Sequence, residues 1–246
     1  MSNAAPQPTS RRDFLNTLAL SGAVLGVAAA CAPSMAQSGA AAAPAPGAGD
    51  ATKPTIKPPP AKSDGPFDNA WLDHLTAKHK QVFDCGSYSD GGMLYYANNY
   101  LNAHRDAYDM AYPDVQIVMG MHGDAWPIVL NDAMWEKYKL GEKKKTKDPR
   151  TKELATRNVF WQTREGEPGH EFSVNALQAR GATFILCNNV LRFVVTGIAQ
   201  KNGESYETVR KELTSNMLPG VTVVPAMVAA IGLAQHKGCS YIYAGG

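Results

Sequence analysis

Cysteine is scarce in this chain: its 246 residues include four, at positions 31, 85, 187 and 239. No two of them form a Cys-x-x-Cys string, which excludes a c-type haem attachment site. The chain also lacks a Gly-x-Ser-x-Gly elbow, a Walker loop, a dinucleotide-binding glycine fingerprint and a His-Glu-x-x-His zinc motif. No cofactor is therefore expected, and any chemistry must come from residues outside these templates.

A large excess of charge of either sign is also missing. Lys and Arg together number 24, against 22 Asp and Glu, so composition excludes a strongly basic nucleic-acid binder, and no nucleic-acid partner is expected. Hydrophobic residues make up 44% of the chain and charged residues 19%, which excludes collagen, a coiled coil and wholesale disorder.

Positive charge is concentrated in one segment. Between positions 137 and 152, eight Lys or Arg residues accompany only Glu142 and Asp148. We interpret the segment as a solvated loop. The alternative is a docking surface for an acidic partner or a neighbouring subunit.

The N-terminal residues resemble a targeting segment. Ser10-Arg11-Arg12-Asp13-Phe14-Leu15 carries the twin-arginine pattern, a mildly apolar stretch follows over 14–30, and Ser34-Met35-Ala36 is a candidate cleavage site. The pattern predicts a cleaved signal for the Tat route over residues 1–36 and a periplasmic protein with no membrane span after cleavage. An uncleaved transmembrane anchor is one alternative, although the apolar run is short for a span. A lipid anchor on Cys31 is another.

Residues 37–66 are mostly Ala, Pro, Gly and Lys. Such a stretch cannot bury enough apolar surface to offset its ordering entropy, so it is predicted to be a disordered tether. The remaining residues, 67–246, suit one domain, with an insertion at about 139–171.

Within that domain, apolar runs alternate with helical patterns. Strands are predicted at 81–84, 115–121, 182–187, 221–224 and 239–243. Helices are predicted at 93–110, 125–138 with Asp124 as cap, 172–180, 190–202, 206–213 and 225–237. The alternation predicts an α/β fold, a five-stranded, mainly parallel sheet with helices on both faces. The last helix is expected to bury Met227, Val228, Ile231 and Leu233.

Several segments carry a resemblance to a known family. They are Thr183–Cys187, Val118-Met119-Gly120-Met121-His122-Gly123-Asp124-Ala125, Val221-Thr222-Val223-Val224-Pro225-Ala226-Met227-Val228, Leu233–Gly238 and Tyr241–Tyr243. In their order, they resemble the DsrE/DsrF-like family over about residues 78–246. The resemblance implies a three-layer α/β/α fold, assembly as a trimer or hexamer, and, in the sulfurtransferase branch, a persulfide on a cysteine just after the third strand. Cys187 has that position. The export signal, residues 67–80 and the insertion depart from the family pattern.

Three side chains with reactive chemistry are predicted at strand ends: Cys85, His122 and Cys187. In open parallel sheets, the ligand crevice lies outside the carboxyl ends of the strands. Cys187 also directly precedes a predicted helix, whose amide groups and dipole favour the thiolate that attacks or carries sulfur. The alternative is that Cys187 is a small buried hydrophobic residue. Cys85 is a candidate to share the site, whereas Cys239 is interpreted as a core residue.

His122 is predicted at the positive end of a helix, where the ring should be neutral. A neutral imidazole can accept a proton from a thiol or bind a metal, and the alternative is a turn histidine bonded to nearby backbone. Met119 and Met121 are interpreted as core residues. A soft-metal site would require Cys187 to join His122, and a Cys85–Cys187 disulfide would require α-carbons within about 7 Å.

These patterns favour an exported protein that binds or relays sulfur through Cys187, with His122 and Asn188 shaping its pocket. A donor or acceptor protein is the expected partner, in addition to copies of the same chain. Whether the protein is an enzyme stays open; if it is one, it is sulfurtransferase-like. The alternatives are a periplasmic soft-metal-binding module and a non-catalytic oligomeric interaction protein.

Overall fold

The computed structural model describes residues 66–245. The predicted export signal, residues 1–36, lies outside the described residues. So does the predicted tether, except for Pro66.

A five-stranded parallel sheet forms the centre of the described chain. Its strands are β1 (His79–Cys85), β2 (Val115–Met121), β3 (Ala182–Cys187), β4 (Val221–Val224) and β5 (Ser240–Tyr243). They are ordered β4-β3-β2-β1-β5, and every neighbouring pair is parallel. All seven residues of β2 are buried, as expected for the central strand of a sheet that is covered on both faces. The predicted α/β fold is confirmed.

Within residues 66–245, seven α-helices accompany the sheet. They are α1 (Gly92–Tyr108), α2 (Asp132–Lys137), α3 (Leu140–Lys144), α4 (Val174–Ala179), α5 (Asn188–Asn202), α6 (Tyr206–Ser215) and α7 (Met227–His236). One core cluster joins one face of the sheet to α1, α5 and α6, and a second joins the other face to α7 and the turn Ala70–Leu72. The helices therefore form layers on both sides, consistent with a three-layer α/β/α arrangement.

The side chains of β1 belong alternately to the two core clusters. Phe83 and Cys85 belong to the first cluster, whereas Val82 belongs to the second. Successive side chains of a strand point to opposite faces, so Asp84 lies on the same face as Val82, toward α7. This alternation decides which reactive side chains can meet.

The predicted helix over 125–138 is wrong. The chain forms a 3-10 helix at Gly123–Val129, and α2 then begins separately with Asn131 as its cap. The backbone between these two helices forms hydrogen bonds with the segment before β4. The Leu218 N–H donates to the carbonyl of Val129, and the Asn131 N–H donates to the carbonyl of Asn216. These contacts with a distant segment hold the chain extended and prevent a continuous helix. Asp124 is not a cap, since its carboxylate pairs with Lys144 at 3.2 Å.

The predicted buried face of α7 is wrong in part. Met227 is buried as expected, but Val228 is 84% exposed and Leu233 40% exposed. Ala230 and Ala234 take the buried positions instead. The sequence of α7 contains no Asp, Glu, Lys or Arg, so hydrophobicity alone does not distinguish its two faces.

The insertion at 139–171 is more ordered than a solvated loop. Leu140, Ala155 and Phe160 are part of the first core cluster. Asn158 is buried and its side chain donates to the carbonyls of Ile128 and Leu130. Ion pairs also occupy three cations of the basic segment, joining Lys137 to Glu212, Lys144 to Asp124 and Arg150 to Glu167. Asp148 of the segment pairs with Arg157, which lies outside it. No helix within residues 66–245 is long and apolar enough to cross a membrane.

Candidate functional site

The carboxyl ends of β1, β2 and β3 meet at one edge of the sheet. Cys85 pairs in register with Met121, and Met121 pairs with Leu186. His122 and Cys187 each follow the last β2–β3 pair by one residue, on adjacent strands. The backbones of His122 and Cys187 are therefore neighbours at the carboxyl edge of the sheet, where ligands bind in open parallel α/β sheets.

Cys187 is the last residue of β3 and the N-terminal cap of the 15-residue helix α5. Its sulfur accepts a hydrogen bond from the backbone N–H of Met227, with 3.3 Å between N and Sγ. Cys187 is only 5% exposed and belongs to the apolar cluster with Ile185 and Val224. The strand–helix junction predicted for it is present, but the sulfur is covered by the start of α7.

His122 is held by a side chain that the sequence prediction did not include. Its Nε2 lies 2.5 Å from Oδ1 of Asp84, and Oδ2 of the same carboxylate accepts the hydroxyl proton of Tyr241 at 2.8 Å. The side chains of His122 and Asp84 are 29% and 16% exposed. The arrangement is a partly buried chain of three polar groups that bridges β2, β1 and β5.

The contact with Asp84 determines which ring nitrogen of His122 is left to accept a proton. A carboxylate is an acceptor, so Nε2 carries the proton that is donated to Asp84. In the neutral ring, Nδ1 is then an acceptor, and no hydrogen bond holds it within the described residues. Hydrogen bonding to Asp84 also raises the pKa of Tyr241, so its hydroxyl stays a donor. His122 is thus placed to accept a proton through Nδ1, in the manner of an acid–base histidine oriented by a carboxylate.

Gly86 is the close neighbour that leaves room for this ring. A Cβ at position 86 would lie 2.9 Å from Cε1 and 3.1 Å from Nε2 of His122. Side chains larger than hydrogen would push the ring away from Asp84. Gly86 is therefore a steric requirement of the His122–Asp84 contact.

Cys85 does not join this group. It is fully buried in the cluster on the other face of the sheet, and its S–H donates to the carbonyl of Phe83 at 3.4 Å. Burial raises the pKa of its thiol, and the neighbouring Asp84 carboxylate adds to the effect. Cys85, Cys187 and Cys239 are all free thiols, so the Cys85–Cys187 disulfide considered above is absent from the described residues.

Asn188 is buried directly after Cys187, at the first position of α5. Its Oδ1 accepts a hydrogen bond from Arg210 of α6 at 2.9 Å. That contact ties α5 to α6. The residue beside it, Asn189, is the one that faces an open cleft at this edge of the sheet, together with Gly86, Trp126 and Phe193.

A metal centre has no support in residues 66–245, because no group of three His, Cys, Asp or Glu side chains there could hold an ion. Met119 and Met121 are completely buried in the core, as predicted. Cys239 is buried as well, in agreement with its interpretation as a core residue.

No family model matches this chain, and no curated protein matches it. Function therefore has to be argued from the site. Asp84 and Tyr241 are the residues that sequence reasoning missed. The signal for Asp84 was an acidic residue between the buried apolar residues Phe83 and Cys85, which is unusual unless the charge is paired.

Proposed function

We propose that the protein is an exported, DsrE/DsrF-like sulfur carrier in which Cys187 holds sulfur as a persulfide. One observation carries the proposal: a free cysteine ends β3 at the start of α5, and the Met227 N–H donates to its sulfur. The Met227 N–H and the N-terminus of α5 place a hydrogen-bond donor and the positive end of a helix beside the sulfur that would carry the persulfide.

The chemistry is a transfer of one sulfur atom between thiols. The Cys187 thiolate attacks the terminal sulfur of a persulfide donor. A sulfur–sulfur bond forms on Cys187, the donor's sulfur–sulfur bond breaks, and the donor leaves as a thiolate that takes up a proton. Oxidation state is exchanged between the two partners, so no external oxidant or reductant is needed.

His122 has a proton role in this proposal. It follows β2 at the position next to Cys187, and Asp84 leaves its Nδ1 as the available acceptor. The ring would take up the proton that leaves the Cys187 thiol and return it to the departing donor thiolate. This makes the Asp84–His122 pair the acid–base part of the site.

Access to Cys187 requires movement at the start of α7, because Met227 covers the sulfur. Assembly as a trimer or hexamer, Tat export and a periplasmic location belong to the same proposal. Val228 and Phe193, 84% and 81% exposed, would offer apolar contacts to another copy.

The test is sulfur loading of the folded protein with a low-molecular-weight persulfide donor, read by mass spectrometry of intact protein and peptides. We expect one added sulfur on the peptide containing Cys187, none in Cys187→Ala and slower loading in His122→Gln. Cys239→Ala is the matched control, because Cys239 is a free, buried cysteine of the same apolar cluster. Equal loading of wild type and Cys187→Ala would refute the proposal.

A second candidate function is a non-catalytic oligomeric interaction module. The observation that favours it is that Cys187 is 5% exposed, while Val228 and Phe193 are exposed. In that case Cys187 would neither accept sulfur nor react with an alkylating reagent before the protein unfolds. Light scattering would still detect an oligomer, which Val228→Lys would weaken.

A further inference from the structure

Strand β5 forms an open end of the sheet. It pairs with β1 on one side, and within residues 66–245 no strand lies on its other side. All four of its residues are exposed, with Tyr241 at 45%, Ile242 at 42% and Tyr243 at 58%. Natural proteins avoid an exposed apolar edge strand, because its outer backbone groups are a template for pairing with another strand.

The opposite end of the sheet, β4, is better protected. It is flanked by Pro219 and Pro225, and its side chains are half-buried or buried. Charged residues and prolines are common means of protecting a sheet edge. The sequence of β5, Ser-Tyr-Ile-Tyr, contains neither. Of the two ends of the sheet, β5 is therefore the one that is open to a further strand.

One hydrogen bond shows which backbone groups of β5 point outward. The Ala244 N–H donates to the carbonyl of Asp84 in β1. Backbone groups of successive strand residues point alternately to the two sides of the strand. Those of Ile242 therefore point to β1 as well, whereas the N–H and C=O groups of Tyr241 and Tyr243 point away from the sheet. Two residues with a donor and an acceptor each are thus available at this edge.

The surface beside this edge is uncharged. Helix α7 packs against β1, β2 and β5, and its sequence contains no Asp, Glu, Lys or Arg. The exposed face of a surface helix is normally charged or polar, but α7 exposes Val228 and Leu233. Two copies of β5 and α7 could therefore meet without repulsion between like charges on these elements. The edge offers no charge to a highly charged partner.

We propose that β5 pairs in antiparallel fashion with β5 of a second copy of this chain, about a two-fold axis at Ile242. Tyr241 of each copy then lies opposite Tyr243 of the other, and each such pair exchanges two N–H···O bonds through its outward groups. Ile242 lies opposite Ile242 of the other copy. The pairing is self-complementary, as a two-fold interface requires, and it joins the two five-stranded sheets into one.

This pairing also affects the Asp84–His122 contact. The Tyr241 hydroxyl donates to Asp84 and is at the surface of the single copy. Tyr241 and Tyr243 lie on the same face of β5, because side chains alternate along a strand. Tyr243 of the second copy would therefore lie beside the Tyr241 ring and shield its hydrogen bond to Asp84 from water. The inference does not rest on sulfur transfer.

The first test uses wild-type protein, with hydrogen exchange of single amides measured by NMR and mass measured by sedimentation. We expect an assembly of at least two copies in which the Tyr241 and Tyr243 amides exchange slowly. The Ile242 amide is the internal control, because it donates to β1 in every state. Fast exchange of the Tyr241 and Tyr243 amides at a protein concentration of about 1 mM would overturn the proposal.

The second test places charges on the two-fold axis. Ile242→Lys and Ile242→Glu should each weaken self-association at least about tenfold, because like charges would lie directly opposite each other. A mixture of the two variants should form a mixed dimer, since opposite charges then meet. Absence of a mixed dimer would show that Ile242 does not face its own copy. Tyr108→Lys is the control, because Tyr108 is an exposed aromatic residue of α1.

The third test removes one outward donor. Proline is tolerated in an edge strand where its missing N–H would face solvent, so Tyr243→Pro should keep the bonds to β1. It should nevertheless weaken self-association at least about tenfold. Self-association unchanged in both Tyr243→Pro and Ile242→Lys would overturn the proposal. Assembly that is weakened by Val228→Lys alone would assign the contact to another surface, and would overturn it too. Sulfur loading of Cys187, whether it succeeds or fails, changes none of these outcomes.

Discussion

Asp84→Asn should change both the stability of the protein and the tautomer of His122. The carboxylate of Asp84 accepts from His122 Nε2 at 2.5 Å and from the Tyr241 hydroxyl at 2.8 Å. An asparagine has one oxygen and one NH₂ group. If its oxygen keeps the Tyr241 hydroxyl, its NH₂ faces Nε2, which must then become an acceptor, and the proton moves to Nδ1. The nitrogen proposed as proton acceptor would be blocked.

The magnitude follows from the two bonds. Hydrogen bonds to charged groups contribute about 1.5–3 kcal/mol and neutral ones about 0.5–1.5 kcal/mol. Each of the two bonds therefore loses roughly 1 kcal/mol, and the free energy of unfolding should fall by about 2 kcal/mol. For a domain of this size, that corresponds to a decrease in Tm of roughly 4–8 °C.

The assay combines denaturant unfolding with nitrogen-15 NMR of the His122 ring. Asp73→Asn is the matched control, because Asp73 pairs with Lys237 at 3.3 Å but its side chain is 78% exposed. Exposed ion pairs contribute about 0–1 kcal/mol, so this variant should stay close to wild type. An unchanged tautomer and an unfolding free energy equal to that of wild type in Asp84→Asn would refute the reasoning.

Three further predictions concern other residues. Gly86→Ala should displace the His122 ring, whose Cε1 would lie 2.9 Å from the new Cβ, and a lost ring contact to Asp84 should appear in the same NMR spectrum; an unmoved ring would contradict this. Cys85 should resist alkylation at neutral pH until the protein unfolds, since burial raises the pKa of its thiol; labelling of the native protein, read by peptide mass spectrometry, would disprove it. The hydrogen bond from Arg150 lowers the pKa of Glu167 from 4.5 to about 2, so the contribution of this pair is present above pH 4.5 and is lost as pH falls toward 2. Glu167→Gln should reduce the fall in Tm over that range, and identical pH profiles for both proteins would show that the pair does not contribute.

Local sequence patterns predicted most of the sheet. The bounds of β2, β3 and β4 agree with the predicted strands, because mainly apolar runs end at Met121, at Cys187 and just before Pro225. Ser205 was predicted as a helix cap, and its side chain accepts the N–H of Thr208 at the start of α6. Such signals act within a few residues of each other and can be read without the rest of the chain.

The candidate site was predictable only in part. Cys187 and His122 were placed correctly at strand ends, since the carboxyl ends of parallel strands share one edge. Cys85 was grouped with them for the same reason, but its side chain lies on the other face of the sheet, because side chains alternate along β1. A strand end alone does not say which face a side chain occupies.

What the sequence by itself determined is therefore the order of the five strands, the ends of β2, β3 and β4, and the positions of the thiols along the chain. Only the tertiary structure decided that Asp84 holds His122 and Tyr241, which are 38 and 157 residues away from it in sequence. It also decided that the Met227 N–H lies against the sulfur of Cys187 and that Leu140, Ala155 and Phe160 of the insertion join the core. The physical reason is that these contacts depend on the strand order β2-β1-β5 and on distant chain segments meeting in the fold. The periodicity of one segment contains no information about which distant segment will lie beside it.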